Sequence, residues 1–250
     1  FGATAPKGNY ADMSTYGYEI ALSYNDSFKL AGKPFNFGIK ATLADYYSII
    51  DRYNNASRKL SDYYEGQRLG EIWGFVCNGL FQSQAEIDAA FGGKGYKNDI
   101  MQTSEKYITY PGDMRFEDLN GNDAIDRGSS TVDDPGDREI IGNSQPRYHY
   151  GATLALQWAG IDFSIFFQGI GRQDWYPAAN ALAFWGPYAR PYATYLPKNF
   201  HTQIWSEENP NSYFPRPRGY TALQGTNREL TAVNDRYLQN IGYCRLKNLT

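Results

Sequence analysis

The segment Phe35-Asn36-Phe37-Gly38-Ile39-Lys40-Ala41-Thr42-Leu43 alternates strictly, apolar at odd positions and polar or small at even ones. Successive side chains of a β-strand point to opposite faces, so this run predicts a strand with one greasy side and one wet side. It is about as long as a membrane-crossing strand, roughly 9–11 residues. Ordinary globular strands are nearer 5–6 residues. The greasy side needs a cover, and lipid or a second sheet can supply one along its whole length.

The pattern recurs. Tyr16, Tyr18, Ile20, Leu22 and Tyr24 share one face of a first strand, with Gly17, Glu19, Ala21 and Ser23 on the other. The connection from Asn25 to Lys33 is rich in turn formers, so the first two strands read as an antiparallel hairpin. Tyr148 to Trp158 and Ile161 to Phe167 repeat the pattern on either side of a tight Ala159-Gly160 turn, and a last strand begins near Tyr243. Between the hairpins lie two long irregular stretches, about 48–145 and 169–234. One helix is expected in them, Gln84 to Phe91, with Ser83 as cap and Glu86 three residues on.

Short turns alternating with long loops match outer-membrane barrels, whose turns face the periplasm and whose loops face outside. A soluble β-sandwich that binds sugar is the alternative, and periodicity alone does not separate the two. Strand length and loop asymmetry favour the barrel.

Composition narrows the classes. A net charge of −3 leaves no basic footprint for nucleic acid. Aromatics make up 16%, with 22 tyrosines, which fits both interfacial girdles and sugar-stacking surfaces. No run approaches the roughly 18 apolar residues of a membrane helix. The two cysteines, Cys77 and Cys244, do not support a disulfide framework. The chain starts at Phe1 and stops at Thr250 inside an expected strand, which reads as a fragment of a longer protein.

Four segments in series resemble the SusC/RagA family, the TonB-dependent outer-membrane transporters of Bacteroidetes. The first is Tyr64-Glu65-Gly66-Gln67-Arg68-Leu69-Gly70-Glu71-Ile72-Trp73-Gly74-Phe75 with Gly79-Leu80-Phe81. The second is Pro111-Gly112-Asp113-Met114-Arg115-Phe116-Glu117-Asp118-Leu119-Asn120-Gly121, running on to Ile125-Asp126. The third is Asp137-Arg138-Glu139-Ile140-Ile141-Gly142-Asn143, with Pro146-Arg147-Tyr148 and Phe166-Phe167-Gln168-Gly169. The fourth is Tyr243, then Arg245 to Thr250.

The resemblance implies an all-β fold: late strands of a 22-stranded transmembrane antiparallel β-barrel with long extracellular loops and a plugged lumen. Residues 1–250 would then be a C-terminal part of the barrel domain, with the plug domain absent from this chain. It also implies the outer membrane as location, a SusD-like surface lipoprotein and the TonB complex as partners, and an oligosaccharide or peptide as imported substrate. The fragment would need neighbouring strands, because open edges do not survive in lipid.

The candidate metal loop is Asp118-Leu119-Asn120-Gly121-Asn122-Asp123-Ala124-Ile125-Asp126. Asp118, Asn120, Asn122 and Asp126 fall at calcium-loop positions 1, 3, 5 and 9, and Ala124 offers a carbonyl at position 7. Asp123 replaces the expected glycine, and Ser129 the bidentate glutamate. An Asx-rich turn that caps its own amides is the equal alternative. For substrate or lid contact the candidates are Trp175, Tyr176, Trp185, Tyr188 and Tyr192, within a cluster that includes Phe184 and Tyr195; loop packing is the blander role. Glu19, Lys40, His149, Asp162 and Gln168 are expected on the lumen side. With only His149 and His201 present, no zinc site or Ser-His-Asp triad is indicated, and no catalytic residue is assigned. The paired carboxylates Asp133/Asp134 and Glu207/Glu208 are loop-borne neighbours without the cleft separation that a glycoside hydrolase requires.

Overall fold

The computed structural model describes residues 11–100, 108–189, 196–218 and 228–250. Its frame is a five-stranded antiparallel sheet in the order β1-β2-β7-β8-β11. The strands are β1 (Asp12–Leu30), β2 (Lys33–Arg52), β7 (Arg147–Trp158), β8 (Ile161–Arg172) and β11 (Tyr243–Leu249).

The first hairpin is longer than expected. The Asn25–Lys33 connection shrinks to a two-residue turn at Ala31-Gly32, with φ of 51° and 76°. Both values are positive, as a type I′ turn requires. The turn formers Asn25 and Asp26 are overridden because the apolar alternation continues beyond them. Phe28 pairs with Phe35 in register and their rings lie 5.0 Å apart. The second turn is Ala159-Gly160, as expected, again with both φ positive at 54° and 87°.

Register aligns one apolar face across the sheet. Leu22 opposes Ala41, which opposes Ala152, which opposes Phe167, which opposes Leu246. Nothing among the described residues seals this face: Leu22 is 67% exposed and Ile161 66%. The described residues therefore place no second layer over the greasy side of the sheet, in contrast to a sandwich.

The packed core lies elsewhere. The two stretches read as loops fold against each other at the end of the sheet away from the turns. They carry three small antiparallel pairs: β3 (Glu71–Phe75) with β6 (Arg138–Asn143), β4 (Cys77–Leu80) with β5 (Met114–Phe116), and β9 (Asp174–Trp175) with β10 (Gln239–Asn240). One buried cluster joins Phe75, Ile100, Met114 and Ile125 from the first stretch to Trp185, Phe214, Leu230 and Tyr237 from the second. Helix α1 (Gln84–Gly93) begins where expected, with Ser83 Oγ accepting from the Glu86 amide at 3.3 Å. The regular helix stops at Ala90, whose ψ of 150° is extended. A short helix α2 (Leu182–Trp185) buries Trp185.

Candidate functional site

The sheet presents two chemically opposite surfaces, and the register assigns each residue to one of them. On the apolar side, aromatic rings stand at both ends as well as between them. Phe28, Phe35 and Trp158 stand near the turns, and Tyr16, Tyr18, Tyr47 and Tyr150 near the loop body. Aliphatic Ile20, Leu22, Ile39, Leu43 and Leu154 share the middle with Tyr24, Phe37 and Phe167. Tyr18 and Phe28 are separated by about 33 Å at roughly 3.3 Å per strand residue. A strand tilt of about 40° projects this to about 25 Å, the height of the apolar band of a membrane barrel.

The polar side carries Glu19, Lys40, His149, Asp162 and Gln168 together, as the alternation predicts. Glu19 opposes Ala44, which opposes His149; Lys40 lies between Ser23 and Thr153; Gln157 opposes Asp162. Near the turns this side holds an open hollow of about 710 Å³, lined by Asn25, Ser27, Asn36, Gln157, Asp162 and Ser164 among others. Asn36 donates to Gln157 at 2.9 Å across β2 and β7. The hollow offers hydrogen-bond donors and acceptors, with Asp26 and Asp162 in its lining, suited to a polar solute or a polar protein surface. It contains no nucleophile with an adjacent base. His149 instead stacks on Tyr46 at 5.8 Å.

At the loop end of the apolar side, Asp45 and Arg147 form a buried ion pair (Nε to Oδ1, 2.5 Å). Beside it, the 64–71 segment folds back along β2. Ile50 and Leu69 donate backbone hydrogen bonds across this join at 2.9 Å each. Tyr64 anchors the segment: its hydroxyl donates to Glu71 at 2.5 Å and accepts from Trp73 Nε1 at 3.1 Å. Burial and the Glu71 carboxylate push the Tyr64 phenol up to about 12, so it stays protonated.

The candidate contact aromatics separate. Trp175 is exposed at 42%. Trp185 and Tyr188 are fully buried and present no face to a solute or lid; they are core of the loop body, because their rings pack on Phe214 and Tyr237. Tyr176 is mostly covered and its hydroxyl donates to the Leu230 carbonyl at 2.8 Å. Phe184 packs edge-on against Trp185 at 4.8 Å. Tyr192 and Tyr195 lie outside the described residues.

In the candidate metal loop, the Asp118 carboxylate accepts from the amides of Gly121, Asn122 and Asp123 at 2.6, 3.2 and 2.9 Å. Asn120 Oδ1 accepts from Asn122 N, Asn122 Oδ1 from Ala124 N, and Asp126 Oδ1 from Gly128 N. These bonds are the local Asx capping that the alternative reading describes. Among the described residues, no group of three or more His, Cys, Asp and Glu is placed to hold a metal ion. The loop's other organiser is Asp137, fully buried, which accepts from Leu119 at 2.8 Å and Asp126 at 2.7 Å.

Sequence reading gave no role to the buried carboxylates Asp45, Asp113, Asp137 and Asp174. Each fastens distant backbone or a guanidinium. Asp113 accepts from the Tyr110 amide at 2.7 Å and from Arg218 Nε at 3.1 Å. Burial outweighs the Arg218 charge and holds the Asp113 carboxyl above its usual range. For Asp113 and Asp137 the one signal was their placement inside the family-like segments, Pro111-Gly112-Asp113 and Asp137-Arg138; Asp45 and Asp174 carried none. Burial also pushes the Cys77 thiol up to about 12, which makes it an inert packing group.

No protein-family model matches the chain. The chain is similar to TonB-dependent receptor P3 of Formosa agariphila, 27% identical over 187 residues. The match covers 74% of this chain and 15% of that protein. The similarity supports a distant, partial relationship to a TonB-dependent receptor. Among the described residues no helix is long and apolar enough to cross a membrane, which says nothing of strands.

Proposed function

We propose that this chain is a barrel section of a SusC/RagA-type TonB-dependent importer in the outer membrane. It would take up an oligosaccharide or peptide together with a SusD-like surface lipoprotein, with energy supplied through TonB. The observation that carries this reading is the mainly apolar face from Tyr16 to Leu249, interrupted near the turns by Asp26 and left uncovered by the described residues across the five strands. Lipid is the cover that fits its width and its aromatic ends. The free edges of β1 and β11 fit the same reading, since further strands of a longer chain would pair them. The polar face and its hollow would line the lumen, and the loop body, with Trp175 on its surface, would face outside. Transport requires no bond to be made or broken in this section.

The test uses the full-length protein in outer membranes, with Cys77 and Cys244 replaced and nitroxide labels at Leu22 and Ser23. Leu22 labels should collide with dissolved oxygen, and Ser23 labels with a water-soluble nickel chelate. Equal access of the nickel chelate to both positions refutes the lipid-facing assignment. Growth on oligosaccharides and peptides after gene deletion then tests the solute class.

A further inference from the structure

The apolar face ends at the loop body in an arginine that no carboxylate among the described residues pairs. Arg68 bridges to Ile49 as an antiparallel strand pair, which places its side chain on the same face as Tyr47, Leu43 and Ile39. Its guanidinium carbon lies over the Tyr47 ring, 4.1 Å from the centroid. Among the described residues no carboxylate comes within 4.0 Å of it, and its buried Nε has no hydrogen-bond partner. Two carboxylates on this rim are already engaged: Asp45 holds Arg147, and Asp51 accepts from the Ser14 hydroxyl at 2.6 Å.

The position is rigid. Tyr64, Glu71 and Trp73 lock the 64–71 segment, and Glu71 Oε1 also accepts the Arg68 amide at 3.0 Å. Its depth is defined too. Phe35 and Tyr47 stand about 40 Å apart along β2, or about 30 Å across the bilayer at a tilt of about 40°. That equals the hydrocarbon thickness of roughly 30 Å. With Phe35 at one boundary, Tyr47 and Arg68 reach the other, where lipid phosphates lie. A guanidinium donates in a planar fork that matches phosphate oxygens.

We propose that Arg68, stacked on Tyr47, binds a phosphate-bearing headgroup of the outer leaflet. The inference rests on the lipid-facing reading of the sheet. It assigns a ligand to a residue that the transport reading leaves without a task.

Native mass spectrometry of the full-length protein in detergent, titrated with lipid A, reads the site. Arg68→Gln should lower lipid A occupancy about tenfold, the value of one charge-assisted contact. Arg68→Lys should keep part of it. Arg245→Gln, on the polar face, should change nothing. Heat-modified mobility on gels confirms that each variant is folded. Wild-type occupancy in Arg68→Gln, or no lipid A bound by the wild type, overturns the proposal. So does displacement of lipid A by millimolar inorganic phosphate, which would make this a free-anion site. A wild type extracted without detergent would instead refute the membrane reading itself.

Discussion

Arg147 closes on Asp45 with both prongs of its guanidinium just beyond the last β2–β7 register pair, Ala44–His149. The Asp45 side chain is 5% exposed and that of Arg147 17%, and Asp45 also accepts the Tyr148 amide at 3.2 Å. Tyr148 has a φ of 57°, so the start of β7 is held in a left-handed kink where the sheet meets the loop body. The pair is thus a clasp between the five-stranded sheet and the loop body packed at its end.

Removing one side of that clasp leaves a buried charge without compensation. Asp45→Asn should cost roughly 3 kcal/mol. Adding Arg147→Gln should restore part of the loss, because the stranded guanidinium is gone. Urea unfolding of the full-length protein in lipid, read as a double-mutant cycle, measures both. Additive losses would show that the two side chains are not coupled.

The two faces of β7 predict opposite responses to the same charge. Leu154 sits mid-sheet on the apolar side between Ile39 and Ile165. Leu154→Arg should cost about 2–4 kcal/mol in a bilayer. Thr153 is its neighbour on the polar side, opposite Lys40. Thr153→Arg should cost under about 1 kcal/mol, mostly from like-charge repulsion. Equal costs in the same lipid-unfolding assay would contradict the assignment of faces.

The sheet was legible in the sequence because a period of two is a local property. Alternation identified the faces of Phe35–Leu43 and Tyr148–Trp158, and Ala159-Gly160 marked its turn. The strand ends were less legible: Asn25 and Asp26 look like a turn, yet Phe28 on Phe35 carries the hairpin past them. The packing of the loop body was not legible, although its helix start at Gln84 with the Ser83 cap was. It is held by contacts such as the Cys77 amide on Asp235 at 2.8 Å, joining residues far apart in the chain. The same blindness explains Trp185 and Tyr188. Aromatic composition marks a segment that buries rings or offers them, and only the fold tells which. The capping role of Asp118, by contrast, was readable from Asx spacing.

Asp137 links that loop to pH. Burial raises its carboxyl above the ordinary 3.8, against the amides of Asp126, Asn120 and Leu119, which pull it down. Between the ordinary value and the raised one, the folded chain holds a proton that the unfolded chain has released. Stability contributed by this group therefore falls as pH rises through that interval and is level above it. Asp137→Asn should abolish this slope. It should also cost about 2 kcal/mol at neutral pH, because one amide oxygen cannot serve both Leu119 and Asp126. Thermal unfolding of the full-length protein in steps from about pH 4 upward tests both outcomes; an unchanged slope in the variant would place the titration elsewhere.

Asp118→Ala removes the acceptor of three loop amides and should lower stability by about 1–2 kcal/mol, as loss of a strong cap does. The cost should be the same with or without chelator if capping is the whole of its role. Calcium makes a different prediction: chelator lowers the wild-type melting temperature and has no effect on the variant. Melting curves with added calcium and with chelator separate the two roles of Asp118, Asn120, Asn122, Ala124 and Asp126.

Gly169 tests how tightly β11 belongs to the sheet. Tyr150 crosses over it from β7, and its hydroxyl donates to the Tyr243 carbonyl of β11 at 3.1 Å. A β-carbon at Gly169 would overlap both that carbonyl and the Tyr150 ring. The carbonyl is backbone and cannot move without separating β8 from β11. Gly169→Ala should therefore cost about 2–3 kcal/mol, at the upper end of overpacking. Gly38 provides the contrast, because a β-carbon there meets only the Asn25 side chain, which can rotate away. Gly38→Ala should cost under about 1 kcal/mol. Heat-modified gel mobility and urea midpoints of the two full-length variants give the comparison. Equal stability would mean that β11 pairs with β8 loosely enough to yield, and the Tyr150 strap would then not be what fixes that edge.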